Sequence, residues 1–427
     1  MIGEDGGVVS VVVDSWSCPT TIYAGAGALG HLAAAAVLPV GSSGIGDRVQ
    51  PGGASVPAEG SAGVVLLTDA RLWPGSAAAE ALTRSFSPAE VIDRSADERD
   101  EVFLQRALDS LAAHPAAPVL ALGGGSVLDV ARLAALARVD AGFAEALTGP
   151  GSQAPLRMWP GARNAANSVV CIPTTLGTAA EVSPIAVLRR GGRTQMFAGP
   201  GLRARAAVLD PAATAGHRRE ALLAGLVEPL SRVLVPAVTG APLPLQDALA
   251  AALVQVLLDL GDAAGTNPDA DWRLTAALTS SQTHTAFLGL GRSPFGHALW
   301  PFATEVMAAI GVTKAAALAM LVPPWLRGLA AGVLGPAFGS AARVRTIVGM
   351  PPDEAAQSLA GWFGRGGFAS GRRGEAGPGG SARQGVAAEV AAQVRTTWQA
   401  TGFFLSGATA AEIDWLSAAA LAESSDP

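Results

Sequence analysis

Three short apolar runs in the first half of the chain each end in a polar or glycine-rich turn. They are Val64–Thr68, Pro118–Leu122 and Ser168–Ile172. Stretches with helical spacing, residues 78–84 and 100–113, lie between them. Parallel neighbours in a sheet need long connections, which are usually helices. The alternation therefore predicts an α/β domain with a parallel sheet.

From about Asp210 onwards, long Ala/Leu-rich stretches with helical spacing replace the β-like runs. They are residues 216–238, 244–261, 271–288 and 313–333. We therefore predict an α/β domain over residues 1–205 followed by an all-helical domain over residues 206–427. Arg189–Arg193 contains two glycines and predicts a turn close to this boundary.

Two segments have the composition of insertions. Residues 40–62 are rich in Gly, Ser and Pro, which predicts a loop. Residues 364–385 contain nine Gly and four Arg, which favours a flexible linker. An RNA-binding segment of the Arg-Gly-Gly type is the alternative for this second stretch.

Charge and composition exclude several classes of protein. The chain has 427 residues, is 50% hydrophobic and carries a net charge of −6, so we expect a folded protein and no nucleic-acid partner. Two cysteines cannot form a disulfide framework, and the first residues are acidic, so we expect a cytoplasmic protein with no export signal. Only one of the 29 basic residues, Lys314, is a lysine.

A glycine turn and a threonine-rich turn point to a bound nucleotide. Gly123 to Ser126 stand between a predicted strand and a predicted helix, where backbone N–H groups attract phosphate oxygens. Ile172 to Thr178 leave the next strand with three threonine hydroxyls. Each turn alone has a purely structural interpretation, but both together favour a nucleotide at the carboxyl ends of the strands.

These residues carry a resemblance to a known family. The segment from Gly123 to Arg132 resembles the GGGSxxDxAK motif of iron-containing (group III) alcohol dehydrogenases. The segment from Ile172 to Ser183 resembles their IPTTxGTGSEVT motif, and Tyr23–Leu29 is similar to their N-terminal glycine turn. The resemblance implies an NAD-binding α/β domain, a helical domain and an active site between them. Dehydroquinate synthases share this fold more distantly.

The resemblance also implies a set of cofactor-binding residues: Asp69, Gly124, Gly125, Ser126, Asp129, Thr174 and Thr175. Asp69 falls where the family has a ribose-binding aspartate. A carboxylate there accepts the ribose hydroxyls and repels a 2′-phosphate, so we expect NAD as the cofactor. Arg132 replaces the lysine of the family motif, which keeps the charge and changes the geometry.

The family's metal ligands are where the resemblance breaks down. Family members hold a divalent metal with an Asp and three His, and the matching positions here are Glu228, Arg232, Gly296 with His297 next to it, and Lys314. Arginine and protonated lysine cannot coordinate a metal. We therefore predict that no metal is bound.

We predict that Glu228, Arg232, His297 and Lys314 are catalytic. Arg232 and Lys314 would polarise the substrate oxygen or bind a substrate carboxylate, and His297 would be the general base. The alternatives are structural: Glu228 and Arg232 form a helix ion pair, His297 packs in the core and Lys314 lies on the surface. The other histidines and Cys171 are interpreted as structural.

The predicted activity is oxidation of a secondary alcohol to a carbonyl, on a carboxylate-bearing substrate and with possible loss of CO2. Such chemistry resembles that of the dehydrogenases of daptide-type peptide pathways, which act on a C-terminal threonine. We expect a homodimer, a small-molecule or peptide substrate, and no membrane contact. The alternatives are a non-catalytic nucleotide-binding partner of another enzyme, a metal-dependent alcohol dehydrogenase, or a synthase.

Overall fold

The computed structural model describes most of the chain. The described residues are 18–31, 63–84, 88–149, 154–160, 169–285, 287–368 and 380–422. The predicted loop over residues 40–62 lies outside them.

The described residues of the first half of the chain contain nine strands, which form two sheets. Their bounds are β1 Thr21–Ala24, β2 Val64–Asp69, β3 Pro88–Arg94, β4 Val119–Gly123, β5 Leu156–Met158, β6 Val169–Pro173, β7 Ile185–Arg190, β8 Arg193–Ala198 and β9 Ala206–Leu209. The larger sheet has the order β1-β9-β6-β4-β2-β3, and all its neighbouring strands are parallel. Its three predicted strands are confirmed as β2, β4 and β6. Strands β5, β8 and β7 form a smaller mixed sheet.

The helices of this domain are α1 Ala77–Thr83, α2 Asp100–Ala113, α3 Gly125–Val139 and α4 Ala141–Thr148. The first three each follow a strand, and α4 follows α3 directly. Central strands β4 and β6 are buried along their whole length, as expected for strands covered on both faces. The parallel arrangement brings the carboxyl ends of β2, β3, β4 and β6 to one edge of the sheet. The predicted α/β fold class is therefore confirmed.

The predicted domain boundary at residue 205 is placed too early. β9 lies between β1 and β6 in the large sheet, and a 3-10 turn at Pro211–Thr214 follows it. The predicted turn at Arg189–Arg193 joins β7 to β8, inside the first domain. Gly191 and Gly192 have positive φ there, a conformation that glycine adopts without strain.

Every regular element after Thr214 in the described residues is a helix. The α-helices are α5 Arg219–Thr239, α6 Pro244–Ala263, α7 Ala270–Gln282, α8 Trp300–Ile310, α9 Lys314–Ala330, α10 Ala341–Val348, α11 Pro352–Phe363, α12 Gly380–Gln393 and α13 Ala410–Ala422. A separate apolar core of their side chains holds this domain together.

The Gly/Arg-rich segment 364–385 is helical at both ends, where the sequence favours a flexible linker. Residues 364–368 form a π-helical turn after α11, and residues 380–385 belong to α12. The residues between, 369–379, lie outside the described part of the chain.

Helices α5 and α6 are both long and apolar enough to cross a bilayer, with mean hydropathies of 1.6 and 1.2. In α5, however, 67% of the apolar stretch is buried inside the protein, against 33% in α6. A core helix meets the same length and hydropathy criteria, so these helices give only weak support for a membrane span.

Arg132 connects α3 to the segment after β6. Its side chain is fully buried and donates to the carbonyls of Ser183, Leu202 and Ile185 at 2.5, 3.2 and 2.8 Å. It also forms an ion pair with Asp129. Only a planar guanidinium offers donors in enough directions for these acceptors.

We predict that Arg132→Lys destabilises the protein, although lysine is the residue of the family motif. An ammonium group would leave buried carbonyls without donors, so the apparent Tm should fall by at least about 4 °C. Arg106→Lys, in a more exposed ion pair with Glu98, is the matched control and should change Tm little. An unchanged Tm for Arg132→Lys in thermal denaturation would contradict this role.

Candidate active site between the two domains

A cavity of about 1390 Å³ lies between the α/β domain and the helical domain. Gly125, Ser126 and Asp129 line it from the first domain. The helical domain contributes Glu228, Arg232, His297 and Lys314, which stand at or next to the four positions that match the family's metal ligands. The structure thus brings the predicted catalytic residues together with part of the predicted cofactor set.

The glycine turn and the threonine turn pack directly against each other. The Thr174 amide donates to the Gly123 carbonyl at 3.0 Å. A Cβ added to Gly125 would lie 2.8 Å from the side chain of Thr178, closer than real Cβ atoms come. Only glycine therefore allows this approach, which opens the first turn of α3 towards the cavity.

The N-terminus of α3 provides the phosphate-binding geometry expected from the sequence. Gly124 is its N-cap, and no acidic residue lies in its first turn. The first N–H groups of a helix have no partners within the helix, so they are available to an anion. The turns at Gly124–Ser126 and Thr174–Thr178 therefore fit the pyrophosphate of a dinucleotide.

Arg94 is a candidate cofactor residue that the sequence analysis missed. It ends β3, donates to the Ser126 hydroxyl and pairs with Asp100 at 2.5 Å. It also lines the cavity, so its positive charge lies beside the proposed phosphate site. Recognising residues 88–94 as a strand would have placed Arg94 at the same sheet edge as the other candidates.

Asp69 ends β2 at this edge, as predicted, but its carboxylate already has a partner. Arg71 donates to both of its oxygens, at 2.9 and 2.7 Å. These hydrogen bonds hold the pKa of Asp69 below its ordinary value, against the effect of burial. Asp69 is not among the residues that line the cavity, and neither are Gly124, Thr174 and Thr175.

The threonine turn contacts α5 where Gly177 packs against Gly225. A Cβ on Gly177 would lie 2.5 Å from the Gly225 carbonyl oxygen, and Gly177 has a φ of +109°. Pro229, four residues further along α5, has no N–H to donate to that carbonyl. This contact couples the helix that carries Glu228 to the turn that carries Thr174.

Glu228 is the centre of the four converging positions. Its Oε1 accepts from Lys314 Nζ at 2.8 Å and from Arg232 Nη2 at 2.9 Å. Burial opposes ionisation of this carboxyl, but the two cations outweigh it and hold the pKa of Glu228 below its ordinary value. The Glu228–Arg232 ion pair of the structural alternative is therefore present. Lys314 adds a second cation to it from the side of the cavity.

Arg232 is engaged by several protein acceptors. Besides Glu228, it donates to the Thr283 hydroxyl at 2.8 Å and to the carbonyls of Gly177 and Thr178 at 2.6 and 3.1 Å. Nη2 therefore bridges the threonine turn and Glu228 of α5, while Nη1 is engaged by Thr283 after α7. This arrangement disfavours the prediction that Arg232 binds a substrate carboxylate, and it assigns Arg232 a positioning role.

Lys314 is placed differently from Arg232. It begins α9, and its side chain is 26% exposed, against 13% for Arg232. An ammonium group has three N–H donors, and the Glu228 contact uses one of them. Its Nζ also lies 5.5 Å from the centre of the Trp300 ring. The structural alternative of an ordinary surface lysine is therefore wrong.

His297 has a pKa far below its ordinary value, which argues against the predicted general base. Burial, with the charges of Lys314 and Arg232, lowers its pKa to about 3. The Ser231 hydroxyl donates to the Glu228 carbonyl at 3.0 Å, so its oxygen accepts from His297 Nε2 at 3.3 Å. His297 Nδ1 is then a buried acceptor with no partner among the described residues. A base with a pKa so far below 7 is a weak proton acceptor.

His284, interpreted from the sequence as structural, also lines the cavity. Its Nε2 lies 3.1 Å from the Ser183 hydroxyl. Burial and the nearby Arg232 and Arg203 charges lower its pKa well below the ordinary value, so it is neutral too. Because both imidazoles are neutral, the charge at this end of the cavity comes from Lys314, Glu228 and Arg232.

The side chains do not fit the metal that the family name implies. Within the described residues, no group of three or more His, Cys, Asp or Glu side chains could hold an ion. Two of the four matching positions carry cations that contact the one remaining carboxylate. A divalent ion at Glu228 would face repulsion from both.

The fold and the site define a two-domain protein with a nucleotide-type cleft. Residues 47–211 match the family model of the iron-containing alcohol dehydrogenases. The match shows that this part of the chain is similar to that family. A segment of 157 residues is 35% identical to phosphonoacetaldehyde reductase of Streptomyces viridochromogenes, covering 34% of this chain and 37% of that protein.

Solved structures match over nearly the whole chain. The iron-containing alcohol dehydrogenase of Thermococcus thioreducens has a TM-score of 0.71 and 17% identity, over 96% of this chain and all of that one. The NADH-dependent butanol dehydrogenase A of Thermotoga maritima gives 0.69 and 16%, over 96% and 98%. Sulfoacetaldehyde reductase of Bifidobacterium kashiwanohense, solved in complex with NAD⁺, gives 0.66 and 17%, over 94% and 97%. At these identities the likeness shows the fold.

The low pKa of His297 predicts a pH-dependent stability. Below pH 6.5 the unfolded chain protonates this histidine, whereas the folded protein does so only near pH 3. The unfolded state therefore binds more protons between these values, and stability falls as pH falls, by up to about 1.4 kcal/mol per pH unit. His297→Gln should reduce this slope in denaturant titrations between pH 7 and pH 5. An unchanged slope would contradict a buried neutral His297.

Proposed function

We propose that this protein is an NAD-dependent oxidoreductase that interconverts an alcohol and a carbonyl compound, with Lys314 acting in place of the family's metal ion. The observation that carries the proposal is the position of the Lys314 ammonium. It lines the cavity, forms an ion pair with Glu228 and stands where the family has a metal ligand. The family match over residues 47–211 supports the reaction class.

Several features support NAD as the cofactor. The close approach of Gly125 to Thr178 exposes the N-terminus of α3 to the cavity, and Arg94 adds a cation beside Ser126. One structural relative was solved with NAD⁺. When bound, the nicotinamide ring donates or accepts the hydride of the reaction.

The role of Lys314 follows from its charge and its free donors. An ammonium hydrogen bonded to a carbonyl oxygen stabilises the negative charge that develops there when hydride reaches the carbon. In the reduction direction Lys314 then gives a proton to that oxygen, and in oxidation it takes one back. Glu228 holds the ammonium in position, and Arg232 holds Glu228.

An anionic group on the substrate fits the same site. The names of two relatives, phosphonoacetaldehyde reductase and sulfoacetaldehyde reductase, describe aldehydes that carry an anion. A substrate carboxylate would form an ion pair with the Lys314 ammonium. If the carboxylate lies β to the new carbonyl, as after oxidation of a C-terminal threonine of a peptide, loss of CO2 would follow.

We predict that Lys314→Met, which removes the charge and keeps an unbranched side chain of similar length, lowers kcat at least about 100-fold. The dissociation constant of NADH should stay close to that of the wild type, because the Lys314 ammonium pairs with Glu228 of α5 and the pyrophosphate is expected at the turns of the other domain. The measurement is NADH oxidation with a panel of aldehydes that includes phosphonoacetaldehyde and sulfoacetaldehyde.

Arg345→Met, exposed on α10 and outside the cavity, is the matched control and should keep full activity. Wild-type kcat in Lys314→Met would exclude the proposed role of the lysine. Tight NADH binding by the wild type without turnover of any aldehyde, hydroxy acid or peptide would favour the alternative, a non-catalytic nucleotide-binding protein.

A further inference from the structure

Three aromatic side chains line the cavity beside Lys314, and the proposed chemistry does not use them. Phe295, Trp300 and Phe404 all belong to the helical domain and form what we call the aromatic wall. Trp300 and Phe404 are stacked, with centroids 5.9 Å apart and ring planes at 16°. Phe295 meets Phe404 edge to face at 5.2 Å.

Trp398 supports the aromatic wall from the protein interior. Trp398 packs edge to face on Trp300 at 4.9 Å and on Phe404 at 5.7 Å. Its indole N–H donates to Glu305 at 2.6 Å. Such contacts fix the ring positions before any ligand arrives, so an apolar group binds without the cost of ordering the wall.

Aliphatic side chains of the helical domain also line the cavity: Leu288, Leu290, Met307, Val312 and Leu318. An apolar surface of this size is not needed to bind the pyrophosphate, which lies at Gly125 and Ser126 on the other domain. It is also not needed for an aldehyde whose only substituent is a small anion.

The wall lies close to the reacting atoms. The Trp300 ring centre is 5.5 Å from Lys314 Nζ, and the proposed function has that ammonium on the substrate oxygen. A group attached to the reacting carbon is two bonds from this oxygen. It therefore lies within reach of Trp300, on which Phe404 is stacked.

We propose that the substrate carries a bulky apolar or aromatic group next to the reacting carbon, which binds against the aromatic wall. This inference rests on the proposed function and deepens it by naming the substrate class. It separates this protein from reductases of two-carbon aldehydes, whose substrates leave such a wall empty. An anionic group elsewhere on the substrate is compatible with it.

The test is a series of aldehydes offered to the full chain with NADH: acetaldehyde, butanal, hexanal, phenylacetaldehyde and 3-phenylpropanal. Burial of each added methylene should raise kcat/KM by about fourfold, and phenylacetaldehyde should exceed acetaldehyde by at least about tenfold. Equal kcat/KM for all members, or preference for acetaldehyde, would overturn the inference while leaving the proposed function intact.

Two variants locate the selectivity. Phe404→Leu and Trp300→Leu should each lower the ratio of kcat/KM for phenylacetaldehyde to that for acetaldehyde by about threefold or more. Because the comparison uses a ratio, any loss of kcat/KM that is common to both aldehydes cancels. Phe338→Leu, buried in the same domain but not lining the cavity, is the control and should keep the wild-type ratio. A wild-type ratio in both wall variants, or weaker NADH binding as their only effect, would overturn the inference.

A second measurement applies if the wild-type protein turns over none of these aldehydes. The corresponding acids, from acetate to 3-phenylpropanoate, are tested as ligands of the NAD-bound protein by thermal shift. Stronger stabilisation by the aromatic acids, lost in Phe404→Leu, would support the apolar site while the proposed function fails. No difference among the acids would overturn the inference as well.

Discussion

The contact of the Glu228 carboxylate with two cations is the interaction on which the site depends. Arg232 joins that carboxylate to the threonine turn of the first domain, and Lys314 joins it to the start of α9. Removing Glu228 would leave both cations without their carboxylate in a partly buried place, which is far costlier than losing a surface ion pair. One residue of α5 therefore sets the geometry of both sides of the cleft.

In the proposed function, the same arrangement takes the place of the family's metal centre and has the same charge. Two cations and one carboxylate leave a single net positive charge, as does a divalent ion held by one carboxylate. Lysine differs from a metal in carrying a transferable proton, so one residue can polarise the oxygen and protonate it. The neutral state of His297 is consistent with this charge, because nearby cations disfavour a second positive group.

The sequence predicts the sheet, the helical domain and the convergence at the cleft, because these depend on periodicity and motif spacing. It does not reveal which cation faces the ligand. Arg232 and Lys314 are equivalent in a sequence, and only their acceptors distinguish them: the carbonyls of Gly177 and Thr178 engage the arginine. Likewise β9 is short and follows a turn, so its place inside the sheet depends on long-range pairing with β1 and β6.

The central claim is that a lysine performs the work of a metal ion, and metal content in the active protein tests it most directly. Inductively coupled plasma mass spectrometry on the purified chain, before and after dialysis against a chelator, should be paired with NADH-dependent turnover of the same samples. We expect well below one Fe, Zn, Mn or Ni per chain and unchanged turnover after dialysis. One metal ion per chain, with activity lost on chelation and restored on adding it back, would contradict the account.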